Sequence, residues 1–463
     1  MSGTFGSFAT GLSGLRAAQV AMDVAGSNIT NAATDGYSRR RVETSATSNV
    51  ASPALWSRAD GAQGQVEIDT IQRLNDALLD TRARREHGTQ SYLDVRASVL
   101  SRVETGINEP SDTGLSNALT ALRTAWSDLA NHPGSPATRS QVLAKAADVA
   151  QSFATQVRNI TAEEGDQRTA LQDVVAQANT VAHDLAEVNR QIKVGTLDGS
   201  DTGTLMDHRD QLALRLAELT GGQSSPRADG GFDVTVGGVS LVNGSTASTL
   251  TISTGITAAG DSDGQPITFA VSDGTTSQPV VLTSGTAAGV TELLDVTLPA
   301  HRAGLDAVAQ QLASQVNALT TSGYDAQGNP GVALFTFTPG QAAATLAVAV
   351  TDPDQVTASA QPGGVLDGSL ATSLSQLSGP EKTYQRLVTD FGTASASAGR
   401  LATSQKVVTS QIDASREQLS GVNLDEETVT MVQSQRSFEA ASRLISVLDS
   451  LMDTLINQTG LVR

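Results

Sequence analysis

The chain contains no cysteine, which rules out disulfides, thiolate metal sites and cysteine nucleophiles. Aromatic residues are nearly as scarce, at 3%, so any core has to rest on Ala, Leu and Val. Basic residues are outnumbered, 30 Lys and Arg against 48 Asp and Glu, for a formal net charge of -18. A chain this acidic suits neither nucleic acid nor an anionic membrane, both of which reward Lys and Arg. No stretch approaches the roughly 18 consecutive apolar residues of a membrane-spanning helix. Residues 1–30 interrupt every apolar cluster with Gly, Ser, Thr, Gln or Asp, which predicts no cleavable secretory signal and export, if any, by another route.

Catalytic signatures are missing too. The five histidines are His87, His132, His183, His208 and His301, and no two have the spacing of a helical zinc site. There is no nucleophile elbow and no phosphate-binding loop. Asp207-His208-Arg209-Asp210 is the nearest thing to a metal or acid-base cluster, and a salt-bridged helix start accounts for it without a ligand. The sequence therefore predicts no enzyme activity, no cofactor and no metal.

What the chain does have is a heptad pattern at each end. Leu424, Met431, Phe438, Ile445 and Met452 recur every seven residues, with Ala441, Leu448 and Leu455 at companion positions, the pattern of a coiled-coil seam. Asn423 or Asp425 can cap the helix, and Asp425, Glu426 and Glu427 place negative charge at its positive end. At the other end Phe8, Leu15, Met22 and Ile29 repeat at the same interval, preceded by Phe5 and Leu12. Gly11, Gly14, Ala18, Ala21, Ala25 and Gly26 lie between them and allow close helix approach, at a cost of up to about 1 kcal/mol per glycine. By themselves such seams suit a private core as well as contacts between molecules.

Between the ends, the opening helix should stop near Asn31, before the Thr34-Asp35-Gly36 turn. Residues 45–64 read as a linker, leading to a short strand at 65–68. Helix is expected from Ile71 to Ile107 with Leu74, Leu78, Val99, Val103 and Ile107 on one face. Its Arg82, Arg84 and Arg85 form either a solvated face paired with Asp80 and Glu86 or a contact to a neighbouring subunit. Further helices follow Thr113 and Pro136, the latter reaching Val194. Thr204 to Asp207 has capping-box spacing before another. From 222 to 299, Gly, Thr, Ser and Val with alternating apolar residues and Asp-Gly and Asn-Gly turns predict an antiparallel β insertion. Helix returns at 301–321, more strand is expected at 345–360, and a last helix spans 380–419.

The stretch GLSGLRAAQVAMDVAGSNITNAATDGYSRRRV resembles the N-terminal signature of the flagellar rod, hook and hook-associated axial proteins, here carried by Asn28, Asn31, Gly36 and Tyr37 among others. The C-terminal stretch with Asn423, Asp425 and Glu426 is similar to its partner signature, with Phe438 where Tyr is usual. Leu205–Leu212 and Gly323–Phe335 are similar to landmarks of the branch that joins hook to filament; the third hook-associated protein and the flagellins are rival branches. A secreted adhesin acting through the β insertion is a remoter alternative, disfavoured by the lack of aromatics there.

The expected architecture is mainly α with an inserted β domain, and nested. An inner axial domain pairs 1–44 with 420–463, a helical bundle spans 65–221 and 300–419 with a small β element near 332–360, and residues 222–299 form the outer β domain. The resemblance implies an exported, extracellular structural subunit that assembles with copies of itself in a helical tube or ring. It implies hook protein on one side, the next hook-associated protein on the other, the flagellar type III export apparatus, and a cytoplasmic chaperone on the C-terminal helix. The residues expected to form the assembly interface are Phe5, Phe8, Leu12, Leu15, Met22, Ile29, Leu424, Met431, Phe438, Ile445, Leu448, Met452 and Leu455.

Overall fold

A computed structural model describes residues 2–47, 65–363 and 366–454, the side chains of 2–6 and 47 excepted. The linker from 48 to 64, the side chain of Phe5, and Leu455 lie outside the described residues. The chain is mainly α with antiparallel β structure inserted in its middle.

Its longest element is α4, Pro136–Asp198; α1, α2 and α3 before it are Ser2–Thr30, Ala77–Ile107 and Leu115–Asn131. Proline in the first turn of α4 has the fixed φ a helix start requires, and Gly199 at φ 75° ends it in the left-handed conformation. At about 1.5 Å per residue the helix runs roughly 95 Å, too long for one core. Two cores form on it. Val142, Val149, Phe153 and Ile160 of its first half pack with Trp126, Leu129, Leu305, Leu312, Tyr384 and Phe391. Leu171, Ala178 and Leu185 of its second half pack with Leu216, Val234, Leu250, Phe269 and Val290. The spacing of those apolar positions by three and four keeps both stripes on one face.

The second core includes the β insertion, so the sheets do not stand apart from the helices. After α5 (Gly203–Thr220), strands β3 (Gln223–Pro226), β4 (Phe232–Val236), β5 (Val239–Asn243) and β6 (Thr246–Ala247) form one sheet in sequential order, and β7 (Thr249–Thr254), β8 (Thr268–Ser272) and β9 (Ser277–Val280) a second. Asn189 of α4 binds this insertion by donating to the carbonyls of Phe232 and Gly244, both at 2.7 Å. The β reading of 222–299 fails beyond Val280. Gly285–Glu292 is helix α6 and Leu293–Thr297 a π turn leading into α7, Leu298–Thr320, because Ala287, Val290, Leu293 and Leu294 repeat at helical spacing and are buried.

Other differences are local. Helix α2 begins at Ala77, not Ile71: Asp76 caps it by accepting from the amides of Leu78 and Leu79, and Ile71 lies in a strand. Leu74 precedes the helix and Leu78 is 83% exposed, so neither joins the face carrying Val99, Val103 and Ile107. Arg84 is buried over the Phe232 ring, Arg85 pairs with Glu86, and Arg82 is exposed. Regular strand within 345–360 is confined to β11, Ala347–Val348, paired with β10, Phe335–Thr336; α8 (Ala342–Thr345) lies between them. Beyond α9 (Ser369–Ser375), α10 (Gly379–Ser420) runs back along α2 to α11, Leu424–Asp453.

His301 of α7 is 3% exposed, its ring 4.6 Å from that of Phe391 on α10, and neither ring nitrogen has a hydrogen-bond partner among the described residues. Burial lowers its pKa from the ordinary 6.5 to about 4. An unfolded chain takes up this proton near 6.5, so the stabilisation is whole above that pH and is lost as pH falls, by roughly 3 kcal/mol at pH 4. Paired carboxylates held below their ordinary range, such as Glu218 bonded to His87, add acid loss of their own. In urea titrations at about pH 7 and pH 4.5, His301→Leu is expected to lose less stability on acidification than the parent. Equal losses would assign the acid sensitivity to other groups.

Candidate assembly interface

Helices α1 and α11 lie antiparallel. A Cβ on Gly11 would sit 3.0 Å from Ile445 Cγ1, one on Gly14 3.9 Å from Ala441 Cβ, and one on Gly26 4.0 Å from Met431 Cε. The buried line on α1 runs through Gly11, Ala18, Ala25 and Asn28, and on α11 through Glu427, Ser434 and Leu448. Met431, Phe438, Ile445 and Met452 are half-buried beside it, as are Leu15, Met22 and Ile29. Phe8, Leu12 and Leu424 are exposed. The pairing face of α1 is thus rotated from the bulky stripe to its small residues, because helices without side chains between them approach more closely and gain more contact. Leu424, Val429, Val432, Leu444, Val447 and Leu451 remain exposed on α11, apolar side chains set among Asp425, Arg436 and Arg443 with no cover among the described residues.

One end of the pair is closed by a polar knot centred on Asn28, which is 1% exposed. Its Nδ2 donates to the Arg40 carbonyl and to Glu427 Oε2, both at 2.9 Å. Its Oδ1 accepts from the Tyr37 hydroxyl at 2.8 Å and the Arg40 amide at 3.0 Å. That uses both amide hydrogens and both lone pairs of an asparagine. The other Glu427 oxygen takes Arg39 Nε at 2.7 Å while Arg39 Nη1 reaches Glu426 at 2.8 Å. Burial works against the Arg39 charge, and the two glutamates outweigh it and raise its pKa. Asn31 caps the end of α1 by donating to the Ser27 carbonyl at 2.9 Å. Gly36, at φ 75°, turns the chain where any side chain would strike Gln211. Asn423 caps α11 by accepting from the amides of Asp425 and Glu426; Asp425 is exposed in the first turn.

The knot continues into the body. Strands β1 (Arg40–Thr47) and β2 (Gln65–Arg73) form an antiparallel ribbon with a bulge at Glu43/Thr44, so 45–47 belong to a strand and not to the linker. The ribbon lies against α1, where the Val66 amide donates to Ser13 Oγ at 3.3 Å. From its paired ends two arginines enter α5. Arg40 bonds Asp201 at 3.2 Å, Thr204 at 2.8 Å and Asp207 at 3.4 Å. Arg73 bonds Asp207 at 2.7 Å and Asp210 at 2.8 Å. The expected capping box at 204–207 does not form: Thr202 holds the cap position without a side-chain bond, and Asp207 is committed to the arginines instead. The 207–210 cluster is a salt-bridged helix start, and no group of three His, Asp or Glu that could hold a metal occurs among the described residues.

Glu427, Arg39, Arg40, Arg73 and Asp207 were not singled out as site residues. One signal was available for Glu427, since it occupies the same heptad position as Ser434, Ala441 and Leu448, where a charge needs a partner. The arginines gave none, because their carboxylate partners lie over a hundred residues away.

Known proteins match the helical body and both ends of the chain. Residues 100–335, more than half of the chain, match the flagellar hook-associated protein FlgK helical domain. Residues 8–37 match the flagella basal body rod protein model, and 417–458 the C-terminal model of the flagellar basal body rod FlgEFG proteins. Flagellar hook-associated protein 1 of Bacillus subtilis is 27% identical, the match covering 99% of each chain. The protein of that name from Escherichia coli is 24% identical over 96% of this chain and 98% of its own. The solved structure of the flagellar hook junction protein FlgK from Burkholderia pseudomallei shares the fold, with a TM-score of 0.64 at 16% identity, over 73% of this chain and all of that one. With its helical body matched by that domain model and its relatives aligned end to end, this chain belongs to the flagellar hook-associated protein FlgK family.

Proposed function

We propose that the chain is a structural subunit, without a catalytic role, that self-assembles at the distal end of the hook and joins it to the filament. The observation that carries this is the set of exposed apolar side chains on α11, Val429, Val432, Leu444, Val447 and Leu451, beside a pairing seam that is already filled by α1. Residues 1–44 with 420–463 then act as the inner axial domain. Copies pack side by side in a tube or ring, with hook protein on one side and the next hook-associated protein on the other. The subunit reaches that place outside the cell through the flagellar type III export apparatus, with a cytoplasmic chaperone covering the C-terminal helix until export. Leaving the outward side chains of α11 uncovered until assembly keeps them for the growing tip, where neighbours supply the area that a single chain lacks. A strain deleted for this chain is expected to make hooks without filaments and to release unpolymerised filament protein into the medium. The full chain should restore filaments, and a version ending at residue 419 should not. Filaments of normal length in the deleted strain would overturn the proposal.

A further inference from the structure

We infer that Asn28 selects the register of the terminal helix pair. The inference concerns how the two ends of one chain align, and it stands apart from what the assembled copies connect.

The seam alone does not choose an alignment. Sliding α1 by one heptad, about 10.5 Å, exchanges Gly11, Ala18 and Ala25 among themselves opposite Met431, Phe438 and Ile445, so small residues still meet apolar ones. The chain has the slack to do so, because nine residues, 31–39, separate α1 from β1 and span about 30 Å when extended. Asn28 and Glu427 break the repeat as a bonded pair, and Leu448 breaks it by bulk. A slide in one direction brings Ser434 to Asn28 and Leu448 to Gly14, where even Ala441 lies only 3.9 Å from a Cβ. A slide in the other sets Glu427 against Ala21, a buried charge without a partner.

Asn28 reads α11 through Glu427 and, with its remaining bonds, grips Tyr37 and both backbone groups of Arg40. The side chain that recognises the correct alignment therefore also takes up the slack that would permit a wrong one. A single buried asparagine fixes register in coiled coils by the same logic.

The absence of native cysteine makes the test direct. Gly14→Cys with Ala441→Cys reports the observed register, since 3.9 Å between the Cβ positions is close to the roughly 3.8 Å of disulfides. Gly14→Cys with Leu448→Cys and Gly14→Cys with Ser434→Cys report the two slides. Each pair is oxidised in dilute protein, and only bonds within one chain, separated by gel mobility, are counted. With Asn28 present only the 14–441 bond should form. Asn28→Ala is expected to raise the slid bonds about tenfold over background, as is Glu427→Ala, from the loss of charge-assisted bonds. Slid bonds at background in both variants would overturn the inference. So would loss of all three bonds, which would make Asn28 a residue that holds the pair together without choosing its alignment.

Discussion

Asp207→Asn is expected to lower the free energy of unfolding by about 3–5 kcal/mol, the range for removing one partner from a buried ion pair. Among the described residues, Asp207 is the one carboxylate shared by both arginines that enter α5. Its side chain and those of Arg40 and Arg73 are each at most 9% exposed. Burial disfavours the Arg73 charge, and Asp210 and Asp207 together outweigh it and raise its pKa, so taking one away leaves a cation in a site designed for two anions. Arg40 fares worse, since its other carboxylate, Asp201, is half exposed. The neutral amide keeps the shape of the site, so the loss reads the charge and not a cavity. Asp210→Asn should cost less, because Arg73 retains Asp207. Urea unfolding followed by circular dichroism measures both, and limited proteolysis locates the damage. Cleavage should appear first within 31–47 or 65–76, where the ribbon and its approach hang on these arginines. A loss below about 1 kcal/mol for Asp207→Asn, the scale of a surface pair, would show that the knot does not secure the terminal helices to the body.

The same network explains what was legible in the sequence. Long helices are legible in the sequence, such as the one expected from Pro136 to Val194, which the structure extends to Asp198. Their boundaries with strands were not. The ribbon strand Arg40–Thr47 carries almost no apolar alternation, because its stability comes from Arg40 and from lying on α1, neither of which has local periodicity. Residues 285–299 share the Gly, Thr and Val content of the strands before them, and composition outweighed the buried Ala287, Val290, Leu294 spacing. The pairing of the two ends is legible, but its buried line on α1 lies three residues along from the bulky one, because counting bulky residues favours Phe8, Leu15 and Met22, whereas close packing favours Gly11, Ala18 and Ala25. Asn28, Gly36 and Tyr37 were identified by resemblance. That Asn28 meets Glu427 across 399 positions is a fact of topology that no local pattern contains.

Charge placed on the two faces of α11 is expected to give opposite results. Leu444→Asp with Val447→Asp alters side chains that are 44% and 56% exposed. Each should change the stability of the free chain by no more than about 0.5 kcal/mol. In the assembled state the same aspartates would be buried against a neighbour without a partner, at several kcal/mol per subunit interface, and filament attachment should be lost. Ile445→Asp with Leu448→Asp instead strikes the seam, where Ile445 packs on Gly11 and Leu448 is 9% exposed. Here the free chain itself should suffer, by about 3 kcal/mol or more, with α1 and α11 becoming sensitive to protease while the two cores of the body stay folded. Melting of the purified variants, proteolysis and a motility assay separate the cases. An outer-face variant that attaches filaments normally would remove α11 as the contact between copies. If both pairs abolished attachment and both left the free chain unchanged, the α1–α11 seam would be a contact made only between molecules, and the apolar ribbons would complete one another across subunits instead of within one.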